Sequence, residues 1–189
     1  MGDPRKRRAK YQTPSHPWNK ERIDEEKTLI KEYGLKNKKE IWKMNSIASN
    51  LAGQAKKLIA LRTKQAEIER KQLMDKIQKY GLLPSDSALK DVLDIKVRDI
   101  LERRLQTILF RKSLARSVKQ ARQFIVHGHI AVGDKKVTVP SYLVSISEES
   151  NVVFPENSNL SDEEHPERKI EEVKEAMPEK KEEGEKNEE

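Results

Sequence analysis

The chain has 189 residues, of which 38% are charged and 34% apolar, and this leaves room for one or two small domains with little core per residue. It contains no cysteine, so disulfides and thiolate metal sites are excluded, and we expect neither a signal peptide nor a membrane span because no apolar run is long enough. The charge is uneven: residues 155–189 hold 6 Lys/Arg and 14 Asp/Glu, a net −8, which leaves residues 1–154 at +15.

So basic a body predicts a polyanionic partner. Nucleic acid is the leading candidate. An anionic membrane surface comes second, because the chain shows no strongly amphipathic helix with Trp or Phe on its apolar face. The expected location is the cytosol.

Residues 1–20 are predicted to form an extended basic arm. Three prolines and few aliphatic residues argue against an independent fold. Three interpretations of such an arm are open. It contributes little to function, or it lies against nucleic-acid phosphates and becomes ordered on contact, or it acts as a nuclear-import signal. Its aromatic residues either stack on bases or pack on the body. The candidate RNA-binding residues of the arm are Arg5, Lys6, Arg7, Arg8 and Lys10.

A helical N-terminal region is predicted for residues 21–96. Its first helix covers about residues 20–33, with Asn19 as the N-cap. The pair Asn37 and Glu40 fits a capping box at the start of the next helix.

The helical pattern then continues as far as Tyr80. It is too long for one uncapped helix, so we expect a break between residues 60 and 68, and Pro84 prevents any continuation. Basic side chains decorate this region; singly each is a solvated residue, but together they extend a basic surface. Two of them complete the candidate RNA-binding residues outside the next domain: Lys56 and Lys57.

Residues 97–154 are predicted to form a small domain of two helices packed on a short, mainly antiparallel sheet. Apolar residues recur at helical spacing over about residues 97–114, which predicts one helix. A second helix begins at Ser117, a good N-cap, and ends at Gly128, which can adopt the left-handed conformation.

The period then changes to alternation, which is typical of strands. Gly133-Asp134 suits a two-residue hairpin turn, whose type the sequence leaves open. Further short strands are expected at residues 142–144 and 152–154, and residues 155–189 are expected to be a disordered acidic tail. The predicted fold class is therefore α+β: a helical N-terminal region, a small domain of two helices on a short sheet, and a disordered tail.

The second helix of the small domain has its apolar residues on one face. Val118, Ala121 and Ile125 recur at i, i+3 and i+7, so their burial would present the basic side chains outward as a fixed array. Arginine offers forked donors to phosphate oxygens, and glutamine can bond sugar or base edges. The candidate RNA-binding residues of this domain are Arg103, Arg104, Arg111, Lys112, Arg116, Lys119, Gln120, Arg122, Gln123, His127, His129, Lys135 and Lys136.

The two histidines of that set have a second interpretation, in which they bond backbone carbonyls at the helix end instead of RNA phosphate or 2′-OH groups. The sequence has no Gly-rich phosphate loop, no GxSxG and no HExxH. We therefore predict no enzyme activity, no cofactor and no metal site. Aromatic residues are only 5% of the chain, which argues against a platform for base stacking and favours recognition of RNA shape and backbone.

The stretch LERRLQTILFRKSLARSVKQARQFIVHGHIAVGDKKVTVPSYLV, residues 101–144, resembles the RNA-binding domain named after the fourth small-subunit ribosomal protein. The stretches GDPRKRRAKYQTPSHPWNKERI and YGLKNKKEIWKMNSIASNLAGQAKKLIA are similar to the archaeal and eukaryotic branch of that S-four ribosomal protein family. The resemblance covers about residues 2–154.

This resemblance implies a primary rRNA-binding protein without catalytic activity. It implies binding to the five-way junction in the 5′ domain of small-subunit rRNA, nucleation of assembly of the subunit body, and an effect on decoding accuracy. It also implies contacts with neighbouring small-subunit proteins, the fifth and the twelfth. Many bacterial members carry a zinc-binding cysteine cluster, which this chain lacks, so no metal is carried over.

Two alternatives remain open, because other proteins share the domain. One is an RNA-modifying enzyme, or its accessory, that uses the domain for targeting and would need a catalytic domain. The other is an RNA-binding assembly factor that would be found with precursors of the subunit.

Overall fold

The computed structural model describes residues 9–84, 87–156, 158–162 and 165–167. This part of the chain contains seven α-helices and a three-stranded antiparallel sheet, which confirms the predicted α+β class. No helix within the described ranges is long and apolar enough to span a membrane. The helices are α1 Lys20–Glu32, α2 Lys38–Ala60, α3 Lys64–Lys79, α4 Val97–Glu102, α5 Leu105–Arg111, α6 Val118–Val126 and α7 Ile146–Glu149.

The N-terminal helices begin where side chains cap them. Asn19 accepts a hydrogen bond from the Arg22 amide at 3.2 Å at the start of α1, as predicted. The chain breaks between α2 and α3 inside the expected interval, and Thr63 caps α3 by accepting from the Ala66 amide at 3.2 Å. The predicted capping box at Asn37 is wrong, because the Asn37 side chain makes no cap hydrogen bond and the Glu40 carboxylate is bound by arginines instead.

The helix predicted over residues 97–114 is in fact two helices. It breaks at Arg103 and Arg104 because the chain there bonds to a distant segment: the Leu105 amide donates to the Tyr142 carbonyl at 2.8 Å, and the Val144 amide donates to the Arg103 carbonyl at 3.0 Å. Residues 142–144 are consequently not a strand of the sheet but an isolated bridge to this break. The short helix α7 that follows was not predicted.

The sheet has the order β2-β1-β3, formed by β1 Ala131–Val132, β2 Lys135–Lys136 and β3 Val152–Val153. Val132 pairs with Lys135 across a turn made of Gly133 and Asp134. Gly133 has φ of 59°, whereas among the described non-glycine residues only Ser113 has a positive φ. A positive φ at the first turn position alone is the pattern of a type II′ hairpin, which the sequence left open.

The core of the small domain lies between α5, α6 and the sheet. Ala121, Phe124 and Ile125 of α6 are buried there, and Gly128 ends the helix with φ of 76°, as predicted. Leu160, beyond the predicted domain end at residue 154, is buried in the same core. Most of the predicted disordered tail falls outside the described residues.

Candidate nucleic-acid interface

A buried ion-pair cluster joins the N-terminal helices to the small domain. The Arg104 side chain is 1% exposed and donates from Nη2 to Glu40 Oε2 at 2.7 Å. Arg122 donates to the same carboxylate at 2.8 Å to Oε1 and 3.2 Å to Oε2. Gln106 completes the group, since its Nε2 donates to the Val118 carbonyl at 2.9 Å and its Oε1 accepts from Arg122 at 3.5 Å. We call Glu40, Arg104, Gln106 and Arg122 the Glu40 cluster.

The Glu40 cluster keeps its carboxylate ionised. Burial raises the pKa of Glu40, but the hydrogen bonds and charges of Arg122 and Arg104 outweigh burial and leave that pKa below its ordinary value. Nε and Nη1 of Arg104 have no hydrogen-bond partner within the described ranges, so the buried guanidinium depends on Glu40 for compensation. The prediction that Arg104 contacts RNA is corrected here, because almost none of its surface is accessible.

Three further side chains that were predicted to contact RNA bond instead to other residues of the protein. Arg103 donates to Glu149 Oε2 at 2.8 Å and to the Val144 carbonyl at 3.1 Å. Lys112 donates to the Glu149 carbonyl, and Arg111 pairs with Glu102 at 3.0 Å on the surface. Of these, Arg111 is the most exposed, and a surface pair of this kind is weak enough for a phosphate to replace the carboxylate.

The start of α6 is covered by a segment from the acidic part of the chain. The Arg116 guanidinium donates to the Pro166 carbonyl and, at 3.1 Å, to the Glu167 carbonyl. Gln120 Nε2 lies 3.4 Å from the same Glu167 carbonyl, and its Oε1 accepts from the Arg116 amide at 2.8 Å. Both predicted contacts remain at the surface, but backbone carbonyls hold their donors.

A second group of predicted residues presents free donors along one face of α6. Lys119, Gln123 and His127 stand four residues apart, so they form a row about 12 Å long. All three are exposed, and their side chains make no hydrogen bond or ion pair with the described residues. Arg122, on the neighbouring face, is half-buried and occupied by Glu40.

The β-hairpin continues this row beyond the end of α6. A Cβ placed on Gly128 would lie 2.2 Å from Lys136 Cε and 2.9 Å from its Nζ, so the lysine side chain passes directly over the glycine. Lys135 and Lys136 are both exposed, and their side chains make no hydrogen bond or ion pair with the described residues. We call Lys119, Gln123, His127 and Lys136 the basic stripe.

His129 differs from His127 in its surroundings. It is half-buried, and its Nδ1 lies 2.9 Å from Ser158 Oγ, while the two imidazole rings are 6.5 Å apart. Across the described ranges, no three His, Asp or Glu side chains come together as a metal-binding group. His129 lies beside the basic stripe, where it lines a pocket of about 700 Å³ together with Lys136 and Gly128.

The remaining predicted contacts lie far from the basic stripe along the chain. Lys10 is exposed in the arm, and Arg5, Lys6, Arg7 and Arg8 lie outside the described residues. Lys56 and Lys57 are exposed near the end of α2, about 24 Å along that helix from Glu40. The structure thus brings together α6 and the hairpin, whereas Lys56 and Lys57 lie toward the far end of α2.

Comparisons with known proteins identify what the chain resembles. The family model described as "S4 domain" matches residues 103–150, which include α5, α6, the hairpin and α7. The small ribosomal subunit protein uS4 of Methanococcus aeolicus is 53% identical over 169 residues, covering 89% of this chain and 96% of the relative. The uS4 proteins of Methanococcus maripaludis strain C5 and Thermoplasma acidophilum are 52% and 50% identical, covering 89% and 88% of this chain and 95% and 85% of the relatives.

Proposed function

Because the chain belongs to the uS4 family of small ribosomal subunit proteins, we propose that it is a structural constituent of the small ribosomal subunit that binds rRNA directly and catalyses no reaction. It works in the cytoplasm as part of the ribosome. The finer roles proposed with it are binding to the five-way junction of the 5′ domain, nucleation of subunit assembly and an influence on translational accuracy. The proposed protein neighbours are the fifth and twelfth proteins of the subunit.

The observation that carries this proposal is the basic stripe within the S4 domain. Its donors are exposed and unoccupied within the described residues, so binding a phosphate breaks no internal ion pair. Three of them stand on α6 or at its end, and the opposite face of α6 is buried in the core, while Lys136 lies on the adjacent hairpin, so little ordering remains to be done when RNA binds. Lysine, glutamine and histidine donors spaced along one face of α6 and onto the hairpin suit the phosphates and riboses of a folded RNA better than the edges of single bases.

The test is binding of the full chain to the 5′ domain of small-subunit rRNA at several salt concentrations. Phosphate contacts release counterions, so affinity should fall steeply as salt rises. The double variant Lys119→Ala/Lys136→Ala should weaken binding by about 1 kcal/mol or more per lysine and reduce the salt slope by about 2.

The matched control is Lys64→Ala/Lys71→Ala, which removes the same charge from α3, a helix that packs on α2. It should weaken binding much less than the stripe variant. Equal losses in the two variants would show that the basic stripe is not the rRNA contact, and salt-independent binding would contradict an interface built on phosphates.

A further inference from the structure

Two tryptophans of the chain stand in opposite environments. Trp42 is half-buried on α2, where its Nε1 donates to Glu26 Oε1 at 3.0 Å and its ring lies 6.1 Å from that of Tyr11. Trp18 is 91% exposed, the highest exposure among the large apolar side chains of the described residues. An indole combines a large apolar ring with a polar N–H group, and tryptophan is enriched at binding interfaces for this reason.

The backbone on both sides of Trp18 is tied to the helices. Before it, the Gln12 amide donates to Ser46 Oγ at 3.0 Å, beside the Tyr11 and Trp42 ring contact. Immediately before it, the Pro17 carbonyl accepts a hydrogen bond from Arg22 Nη2 at 2.9 Å. Immediately after it, Asn19 caps α1 by accepting from the Arg22 amide at 3.2 Å. The arm therefore holds Trp18 between two anchored points, and an interaction there has a smaller ordering cost than one on a free chain.

The surroundings of Trp18 favour a polyanion over an apolar protein surface. Residues 9–22, which the structure describes, hold 3 Lys/Arg and 1 Asp/Glu, a net +2. An open cleft of about 570 Å³ runs beside the indole and is lined by residues 16–21, among them His16 and Lys20. A flat aromatic ring in a basic setting is the arrangement by which proteins hold unpaired bases, where the ring stacks and the cations bind the backbone.

We propose that Trp18 is a stacking site for an unpaired base of the bound rRNA. This inference rests on the proposed function and adds a base-stacking contact to an interface otherwise made of phosphate and ribose contacts. The sequence alone left Tyr11 and Trp18 equivalent, as residues that stack on bases or pack on the body. The structure separates them, because Tyr11 packs against Trp42 and Trp18 packs on nothing comparable.

The test uses the fact that the chain has only two tryptophans. In the Trp42→Phe variant Trp18 is the single indole, and titration with the 5′ domain of small-subunit rRNA should quench its fluorescence in step with binding. In the Trp18→Phe variant only Trp42 remains, and its emission should change little. This second variant keeps the experiment decisive if Trp42→Phe folds poorly, because the wild-type quenching must then disappear in Trp18→Phe.

Affinity supplies a second readout. Trp18→Ala should weaken rRNA binding about 5- to 150-fold, the range of one stacked base, and Trp18→Phe should retain part of the affinity. Ile68→Ala, which removes an apolar side chain of 53% exposure from α3, is the control and should bind like the wild type.

The outcomes separate the two proposals. Bound RNA with unquenched Trp18 and unchanged affinity in Trp18→Ala would overturn the stacking site alone. Quenching that appears only on addition of another small-subunit protein would overturn it in favour of a protein contact. A wild-type chain that does not bind the rRNA would overturn the proposed function, and the stacking site with it.

Discussion

The Glu40 cluster and the basic stripe both contain residues of α6, but the cations of the cluster are paired inside the protein and those of the stripe are exposed to solvent. Arg122 turns toward Glu40 and meets Arg104 at the same carboxylate, where the three side chains tie α2 to the small domain. Lys119 and Lys136 remain in solvent without an ion pair to the described residues. A basic sequence therefore does not by itself give a basic surface, because some of the arginine charge is neutralised by ion pairs that hold the fold together.

The side-chain chemistry accounts for this division. The planar guanidinium of arginine can bond both oxygens of a carboxylate and tolerates burial when paired, whereas a lysine ammonium is strongly hydrated and is best left at the surface. Arg122 binds both Glu40 oxygens, and Arg103 bonds both a carboxylate and a carbonyl. Within the described ranges, the donors that remain for RNA on the basic stripe are lysine, glutamine and histidine.

The largest expected effect comes from breaking the Glu40 cluster. Glu40→Gln leaves the buried Arg104 guanidinium without its compensating charge, so we expect a loss of about 3 kcal/mol in the free energy of unfolding, measured by urea denaturation. Glu102→Gln, which breaks the exposed pair with Arg111, is the control and should change stability by less than about 1 kcal/mol. Equal effects would mean that the cluster does not join the two regions.

The turn that positions the hairpin is the next most sensitive point. Gly128→Ala forces a side chain into a left-handed backbone with φ of 76° and into the Lys136 side chain, so we expect a loss of about 1–2 kcal/mol and weaker RNA binding. Gly53→Ala supplies a control of opposite sign, because Gly53 lies inside α2 with nothing within 4 Å of the added Cβ. It should stabilise the chain by about 0.5–1 kcal/mol, and a loss there would show that helix propensity does not govern that site.

Lowering the pH should remove the stabilisation that the Glu40 cluster contributes to the folded state, because the Glu40 carboxylate becomes protonated. Its folded pKa lies below the ordinary value of 4.5, so its stabilisation is complete above that value and is lost as the pH falls through the folded pKa. The difference in unfolding free energy between wild type and Glu40→Gln should therefore shrink as pH is lowered from 6 toward 3. A difference that stays constant or grows in acid would contradict the assigned direction of the shift.

Sequence patterns predicted the elements whose causes are local. Asn19, Ser117 and Gly128 act at helix ends within a few residues of where they stand, and their positions were read correctly. The break at Arg103 and Arg104 was missed because backbone bonds to residues 142–144 create it.

The internal pairing of the predicted RNA contacts was missed for the same reason. Glu40 lies 64 residues from Arg104 and 82 from Arg122, so no spacing in the sequence marks them as partners. Gln106, which joins α5 to α6 and to the carbonyl of Gly34, was also missed, since a lone glutamine inside an apolar helix gives no signal. The exposure of Lys119 and Gln123, in contrast, could be predicted, because helical periodicity alone places these stripe residues of α6 opposite the core.

The smallest expected effect concerns the segment that covers the start of α6. Deleting residues 165–189 removes 10 Asp/Glu and 6 Lys/Arg and releases Arg116 from the Pro166 and Glu167 carbonyls. Binding to the 5′ domain of the rRNA should tighten about two- to five-fold at low salt, in line with the modest strength of surface contacts. Arg116→Ala should reduce the gain caused by the deletion; an undiminished gain would show that net charge, and not the release of Arg116, is responsible.

The central claim is that some cations are paired within the protein while others are free to bind RNA. Its most direct test is the reactivity of individual lysines toward an acetylating reagent, measured by mass spectrometry with and without the rRNA 5′ domain. We expect Lys119, Lys135 and Lys136 to lose most of their reactivity when RNA binds. Lys112, held by the Glu149 carbonyl, and Lys27, paired with Asp24, should show little change. Retained reactivity of Lys119 and Lys136 in the bound complex would contradict the account.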